Sequence, residues 1–87
     1  MMRVVIIGAG GHGQVVADIL LRANEHGSAA LPVGYLDDNR KFTGRSLLAL
    51  PVLGVTAELP SIPHDAVVVA VGDNAARRRL FGLLRGK

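Results

Sequence analysis

One stretch near the start of the chain restricts the fold more than any other: Val4-Val5-Ile6-Ile7-Gly8-Ala9-Gly10-Gly11-His12-Gly13. Val4 to Ile7 is an unbroken aliphatic run, the pattern of a strand buried on both faces. Gly8, Gly10 and Gly13 follow at the spacing G-x-G-x-x-G. In a strand-to-helix turn the first glycine permits the tight bend. The second lets the backbone approach a pyrophosphate, and the third lets the helix pack closely on the strand. The free N–H groups and the dipole at such a helix start attract an anion. The competing reading is a tight turn that binds nothing.

The totals fit one small domain. With 87 residues, the chain has room for a single core of modest size. Hydrophobic residues make up 49% and aromatics 3%, which favours an aliphatic sheet covered by helices. No cysteine is present, so a disulfide framework and a thiolate metal site are both excluded. That composition is compatible with a reducing cytoplasm, the expected location. No apolar run reaches the roughly 18 residues of a membrane span. The net charge of +3 suits anionic small molecules. Nucleic acid is not an expected partner, because Tyr35, Phe42 and Phe81 are too scattered to stack bases along a basic stripe.

Read in order, Gly13 to His26 is predicted to be a helix. Val16, Ile19, Leu20 and Ala23 fall on its inner face, Asp18, Arg22 and Glu25 on its outer face, and Gly27 stops it. Ser28 to Pro32 is expected as a loop. Val33 to Leu36 then forms a second strand that ends in Asp37-Asp38-Asn39. Asp37 lies 24 positions after Gly13, near the roughly 20-residue offset at which an acid meets a ribose hydroxyl in dinucleotide-binding folds. The same three residues also favour a plain polar turn, and both readings stay open. Arg40 to Leu50 reads as an exposed basic loop with a helical turn at Ser46–Ala49. Pro51 to Gly54 reads as a short strand, expected at an edge, and Thr56 as the cap of a single turn through Leu59. Ala66 to Val71 is a second aliphatic strand, expected to be central or buried. Gly72-Asp73-Asn74 leads from it into a last helix, Ala75 to Arg85. Arg77 sits at the positive end of that helix, where a bound anion would relieve the unfavourable charge. The expectation is an α/β fold: a small Rossmann-like three-layer domain with a parallel sheet of order 3-2-1-4, its third strand short.

Taken together, Val5-Ile6-Ile7-Gly8-Ala9-Gly10-Gly11-His12-Gly13, Gly34-Tyr35-Leu36-Asp37-Asp38-Asn39, Pro51-Val52-Leu53-Gly54 and Val71-Gly72-Asp73-Asn74 with Arg77 resemble one known family over essentially the whole chain. It is the N-terminal domain of the bacterial sugar O- and N-acyltransferases related to sialic acid O-acetyltransferase and the bacillosamine-pathway acetyltransferase. The resemblance implies a domain that holds a nucleotide-activated sugar, usually a UDP-sugar. A separate hexapeptide-repeat β-helix would trimerise, bind acetyl-CoA as co-substrate and carry the catalytic histidine. Carried over by motif, Gly8, Gly10, Gly11, His12 and Gly13 would face the pyrophosphate. Asp37, Asp38 and Asn39 would reach the nucleoside or sugar, with Gly72, Asp73, Asn74 and Arg77 on the other wall. His12 is implied to be a binding residue, although a solvent-facing helix-entry residue is the alternative; His26 and His64 match no motif and read as surface residues.

The 87 residues contain no six-residue repeat and no segment for coenzyme A. The expectation is therefore a fragment of a longer acyltransferase, with a stand-alone relative that binds without catalysis as the alternative; residues 1–87 are the nucleotide-sugar-binding domain, with no catalytic residue, cofactor or metal of their own. Ala49-Leu50, before Pro51, departs from the family, where glycine is frequent. Two other functions remain open. One is an NAD(P)-binding half-domain of an oxidoreductase or sensor, although a dinucleotide normally spans two βαβαβ halves. The other is an interaction module that binds no nucleotide.

Overall fold

A computed structural model describes residues 1–70. Strand β1 (Met2–Ile7) leads through the glycine turn into helix α1 (Gly11–Glu25). Strands β2 (Ala30–Leu36), β3 (Ser46–Leu47), β4 (Leu50–Gly54) and β5 (Ala66–Val69) follow, with short 3-10 turns at Arg40–Phe42 and Thr56–Ser61. The spatial order is β3-β4-β2-β1-β5. Its parallel part, β4-β2-β1-β5, is the expected 3-2-1-4 arrangement. The difference is an added antiparallel strand, β3, outside β4, so β4 is not the edge of the sheet.

Val4 to Ile7 are at most 2% exposed, as an aliphatic strand between two neighbours requires. Alternation sorts them onto two faces. Val5 and Ile7 pack with Leu36 and with Leu59 from the second 3-10 turn. Ile6 packs with Ala9, Ala17, Tyr35 and Ala70 on the α1 side. Each fully buried Val, Ile or Leu side chain among these contributes about 1.5–3 kcal/mol. The β5 residues are only half-buried, and β5 is the outermost strand on its side among the described residues. An aliphatic run alone does not separate a central strand from an outer one. The end of the expected strand at Val71 and the expected helix Ala75–Arg85 lie outside the described residues.

The structure shifts several expected boundaries, each for a tertiary reason. Helix α1 starts at Gly11 rather than Gly13. Its inner face centres on Gly13 and Ala17, which are buried, with Val16 and Leu20 beside them. A Cβ on Gly13 would collide with the Gly8 carbonyl oxygen. That close approach sets the helix rotation and turns Ile19, expected inside, outward to 59% exposure. Strand β2 starts at Ala30, not Val33, because a bulge shifts the register from Val4↔Pro32 to Val5↔Gly34. Pro32 lies ahead of Tyr35 and Leu36, through which β2 pairs with β4, so that ladder does not need its missing N–H.

Ser46–Ala49 is not a helical turn. Ser46↔Pro51 and Leu47↔Leu50 pair antiparallel, and Leu48 (φ +52°) and Ala49 (φ +63°) form the two-residue loop. Positive φ at both central positions is the mark of a type I′ hairpin. The sequence hid it, because Leu-Ala lacks the Asn-Gly signature of that turn. The hairpin is tied to the sheet by the buried Tyr35 hydroxyl, which donates to the Leu47 carbonyl at 3.1 Å.

Candidate functional site at the carboxyl ends of the parallel strands

The register aligns Ile7 with Leu36 and with Val69, so the segments beginning at Gly8, Asp37 and Ala70 leave the sheet at one level. Strand β2 lies on one side of β1 and β5 on the other. In open α/β sheets, ligands bind outside the carboxyl ends at such a reversal of strand order.

The glycine loop is built by hydrogen bonds to its neighbours. Gly8 has φ +112°, a backbone that glycine adopts without a Cβ penalty, and its N–H donates to the Leu36 carbonyl at 2.8 Å. Ala9 is fully buried. Its N–H donates to Asp37 Oδ2 at 2.8 Å, and its carbonyl accepts from Gln14 Nε2 at 3.1 Å. Gly10 caps α1 in an extended conformation (φ −74°, ψ −168°) with no side-chain cap, and its carbonyl accepts the Gln14 N–H at 3.0 Å. The first helical N–H groups, on Gly11, His12 and Gly13, have no partner within the helix.

The glycines divide by cause. Gly8 is required by its φ and Gly13 by packing. Gly10 and Gly11 are required by neither: a Cβ on either meets nothing within 4 Å, and Gly10 has a φ open to any residue. Open space at the turn is what a close-approaching ligand needs. His12 is exposed in the first turn of α1, where an imidazole donor could reach an anion at the helix start.

The polar residues after β2 each hold backbone. Asp37 Oδ1 accepts the Asn39 N–H at 2.8 Å, an Asx turn, while its own N–H donates to the Gly54 carbonyl at 3.0 Å. Asp38 Oδ1 accepts both the N–H and the hydroxyl of buried Thr56 at 2.8 Å. Asn39 Oδ1 accepts the Lys41 N–H at 3.1 Å. Thr56 is therefore not the cap of its own turn. Val55 precedes that turn, and its N–H donates to the Glu58 carboxylate at 2.7 Å.

The structure thus brings the glycine loop and Asp37 into direct contact, with Asp38 and Asn39 following in the turn after β2. Gly72, Asp73, Asn74 and Arg77 lie outside the described residues. His26 lies on the surface at the end of α1, its Nδ1 2.8 Å from the Arg22 carbonyl oxygen. His64 is half-buried rather than on the surface, its Nδ1 2.6 Å from the Ile62 carbonyl oxygen. Gln14 and Thr56 were not legible as site-building residues, because their partners come from other elements. A cavity of about 240 Å³ beside β4, lined by Thr43, Gly44, Glu58 and the Val52–Val55 strand end, contains none of the expected site residues. No group of three or more metal-ligating side chains occurs among the described residues.

The family model for the PglD N-terminal domain matches residues 3–84. The chain belongs to the PglD N-terminal domain family. The solved acetyltransferase domain of PglB from Neisseria gonorrhoeae FA1090, in complex with acetyl coenzyme A, is 34% identical to this PglD N-terminal domain with a TM-score of 0.72. The same PglB domain described without that ligand is 32% identical, with a TM-score of 0.70. The alignments cover 98% and 99% of this chain but only 39% and 40% of the PglB chains. This PglD N-terminal domain therefore spans about two-fifths of the structures it matches. No curated protein matches the chain.

Proposed function

We propose that residues 1–87 form the nucleotide-sugar-binding domain of a cytoplasmic, acetyl-CoA-dependent sugar O- or N-acetyltransferase. The ligand is a UDP-sugar. Its diphosphate lies against the glycine loop from Gly8 to Gly13 with His12 at the rim, and its nucleoside borders Asp37 to Asn39. Gly72 to Asn74 and Arg77, outside the described residues, are assigned to the same ligand by the family resemblance alone. The observation that carries this reading is the open space at Gly10 and Gly11, where neither backbone conformation nor packing asks for glycine.

Family membership and the likeness to an acetyltransferase domain that binds acetyl coenzyme A support the wider enzyme. In that enzyme a hexapeptide-repeat domain trimerises and holds acetyl-CoA. A histidine base there takes the proton from the sugar amine or hydroxyl as it attacks the thioester. The part played by this domain is positioning: fixing the diphosphate fixes the acceptor atom relative to the thioester.

Thermal unfolding against UDP, UDP-N-acetylglucosamine, a UDP-amino-sugar, NAD and NADPH tests the reading. A ligand at 100 times its Kd stabilises by about 2.7 kcal/mol, several degrees for a domain of this size. The UDP compounds are expected to raise Tm and the dinucleotides to leave it unchanged. Gly10→Val, whose Cβ would meet nothing within 4 Å, gives up a favourable helix cap at a cost of about 1 kcal/mol; it is expected to stay folded and lose the UDP-sugar shift. A shift with NAD or NADPH alone, or an undiminished UDP-sugar shift in Gly10→Val, refutes the assignment.

A further inference from the structure

The acid at the end of the second strand of a dinucleotide-binding fold is ordinarily read as a ribose ligand. Here its geometry points to a different task. Asp37 Oδ2 takes the N–H of buried Ala9 at 2.8 Å, and Oδ1 takes the N–H of Asn39 at 2.8 Å. The Asp37 N–H is itself fixed to the Gly54 carbonyl at 3.0 Å. The carboxylate is thus anchored in β2 and its Asx turn, and it reaches across to the adjacent loop. On the other side of Ala9, Gln14 Nε2 holds the carbonyl at 3.1 Å. Both polar backbone groups of one buried residue are held by side chains from two different elements. Charge-assisted bonds from a carboxylate to backbone N–H are among the stronger hydrogen bonds.

We propose that Asp37, with Gln14, is a positioning residue for the anion-binding loop. It fixes the Ala9 peptide so that the following N–H groups, from Gly10 to Gly13, are set before a ligand arrives. The inference rests on reading that loop as the diphosphate site. A loop set in advance binds more tightly because less ordering remains to be done on binding. Asp37 then governs affinity for any diphosphate, with or without a ribose. This separates it from a ribose ligand, whose loss is felt only by nucleosides.

The experiment compares the intact protein with its Asp37→Ala, Asp37→Asn and Gln14→Leu variants in two measurements. The first is amide hydrogen exchange without ligand, read by NMR at Ala9. Asp37→Ala is expected to speed exchange at Ala9 by about tenfold or more, the scale of one lost charge-assisted bond. Asp37→Asn, which keeps one oxygen acceptor, is expected to restore part of the protection. Gln14→Leu, which frees the Ala9 carbonyl, is expected to speed exchange at Ala9 by a smaller factor, since it removes a neutral hydrogen bond.

The second measurement is binding of UDP and of inorganic pyrophosphate. Asp37→Ala is expected to weaken both by a similar factor, about tenfold. Unchanged exchange at Ala9 in Asp37→Ala, or weakened UDP binding with pyrophosphate unaffected, overturns the proposal. If Asp37→Ala does not fold, Gln14→Leu decides: it must weaken UDP and pyrophosphate alike, and a variant that leaves both unchanged overturns the proposal. If the unaltered protein binds neither probe, the diphosphate reading has failed, and the exchange measurement still decides how the loop is held.

Discussion

The hairpin tip gives the sharpest quantitative expectation. Leu48 and Ala49 both have left-handed φ values, and each costs an L-residue roughly 1–2 kcal/mol relative to a right-handed one. Ala49 is exposed, so Ala49→Gly removes a methyl group that buries nothing of note. Glycine adopts this φ without the Cβ clash, but it gives up more freedom on folding, which offsets about 0.5–1 kcal/mol. The net expectation is a stabilisation of about 0.5–1 kcal/mol. At roughly 4–8 °C per kcal/mol for a domain of this size, Tm rises by about 2–8 °C. Gly44 supplies the mirror experiment. It has φ +73°, and a Cβ there would meet nothing within 4 Å. Gly44→Ala therefore adds backbone strain with no clash and should cost about 1 kcal/mol. Thermal unfolding followed by far-UV circular dichroism, with urea midpoints as a check, reads both. A fall in Tm for Ala49→Gly, or a rise for Gly44→Ala, would refute the assignment of strain to the left-handed backbone.

Two further perturbations test how the sheet is tied together. Tyr35→Phe leaves the Leu47 carbonyl without its buried donor and should destabilise by about 0.5–1.5 kcal/mol in urea unfolding; burial already raises the Tyr35 pKa above that of a free phenol, so no phenolate forms at neutral pH. Asp65 accepts the Arg3 N–H at 2.8 Å and its Nε at 3.2 Å, and these bonds, the backbone one foremost, hold its pKa below the ordinary carboxylate value. A depressed folded pKa gives stability that is present above the unfolded pKa of about 3.9 and lost as pH falls through the folded value. Asp65→Asn should therefore flatten the unaltered protein's loss of Tm below about pH 4, and an identical acid profile in the two proteins would exclude that contribution.

The parts of the fold that could be read from the sequence share a cause, and so do the parts that could not. The aliphatic run Val4–Ile7, the helix after Gly10 and the parallel order of four strands follow from patterns carried within each segment: burial on two faces, helical period and right-handed connection. The bulge at Val33, the Leu48-Ala49 turn and the outward rotation of Ile19 depend on contacts between segments, such as the Gly13 backbone against the Gly8 carbonyl. No local pattern announces these. The candidate site divides in the same way. Glycine spacing and the acids after Leu36 are legible as candidates, because those residue types are set by local backbone needs and by strand-end geometry.

What each polar residue does there is decided by a partner distant in sequence. Asp37 meets Ala9, 28 residues earlier, and Asp38 meets Thr56, 18 residues later. Two adjacent carboxylates thus hold backbone in opposite directions along the chain, one on the glycine loop and one on the turn after β4. Both act from the Asx turn that follows β2. The Asp-Asp pair therefore has a structural reason independent of any ligand: it joins the carboxyl ends of three neighbouring strands, β1, β2 and β4, into one rim. A rim built this way is set before a ligand arrives, which is what the proposed positioning role requires.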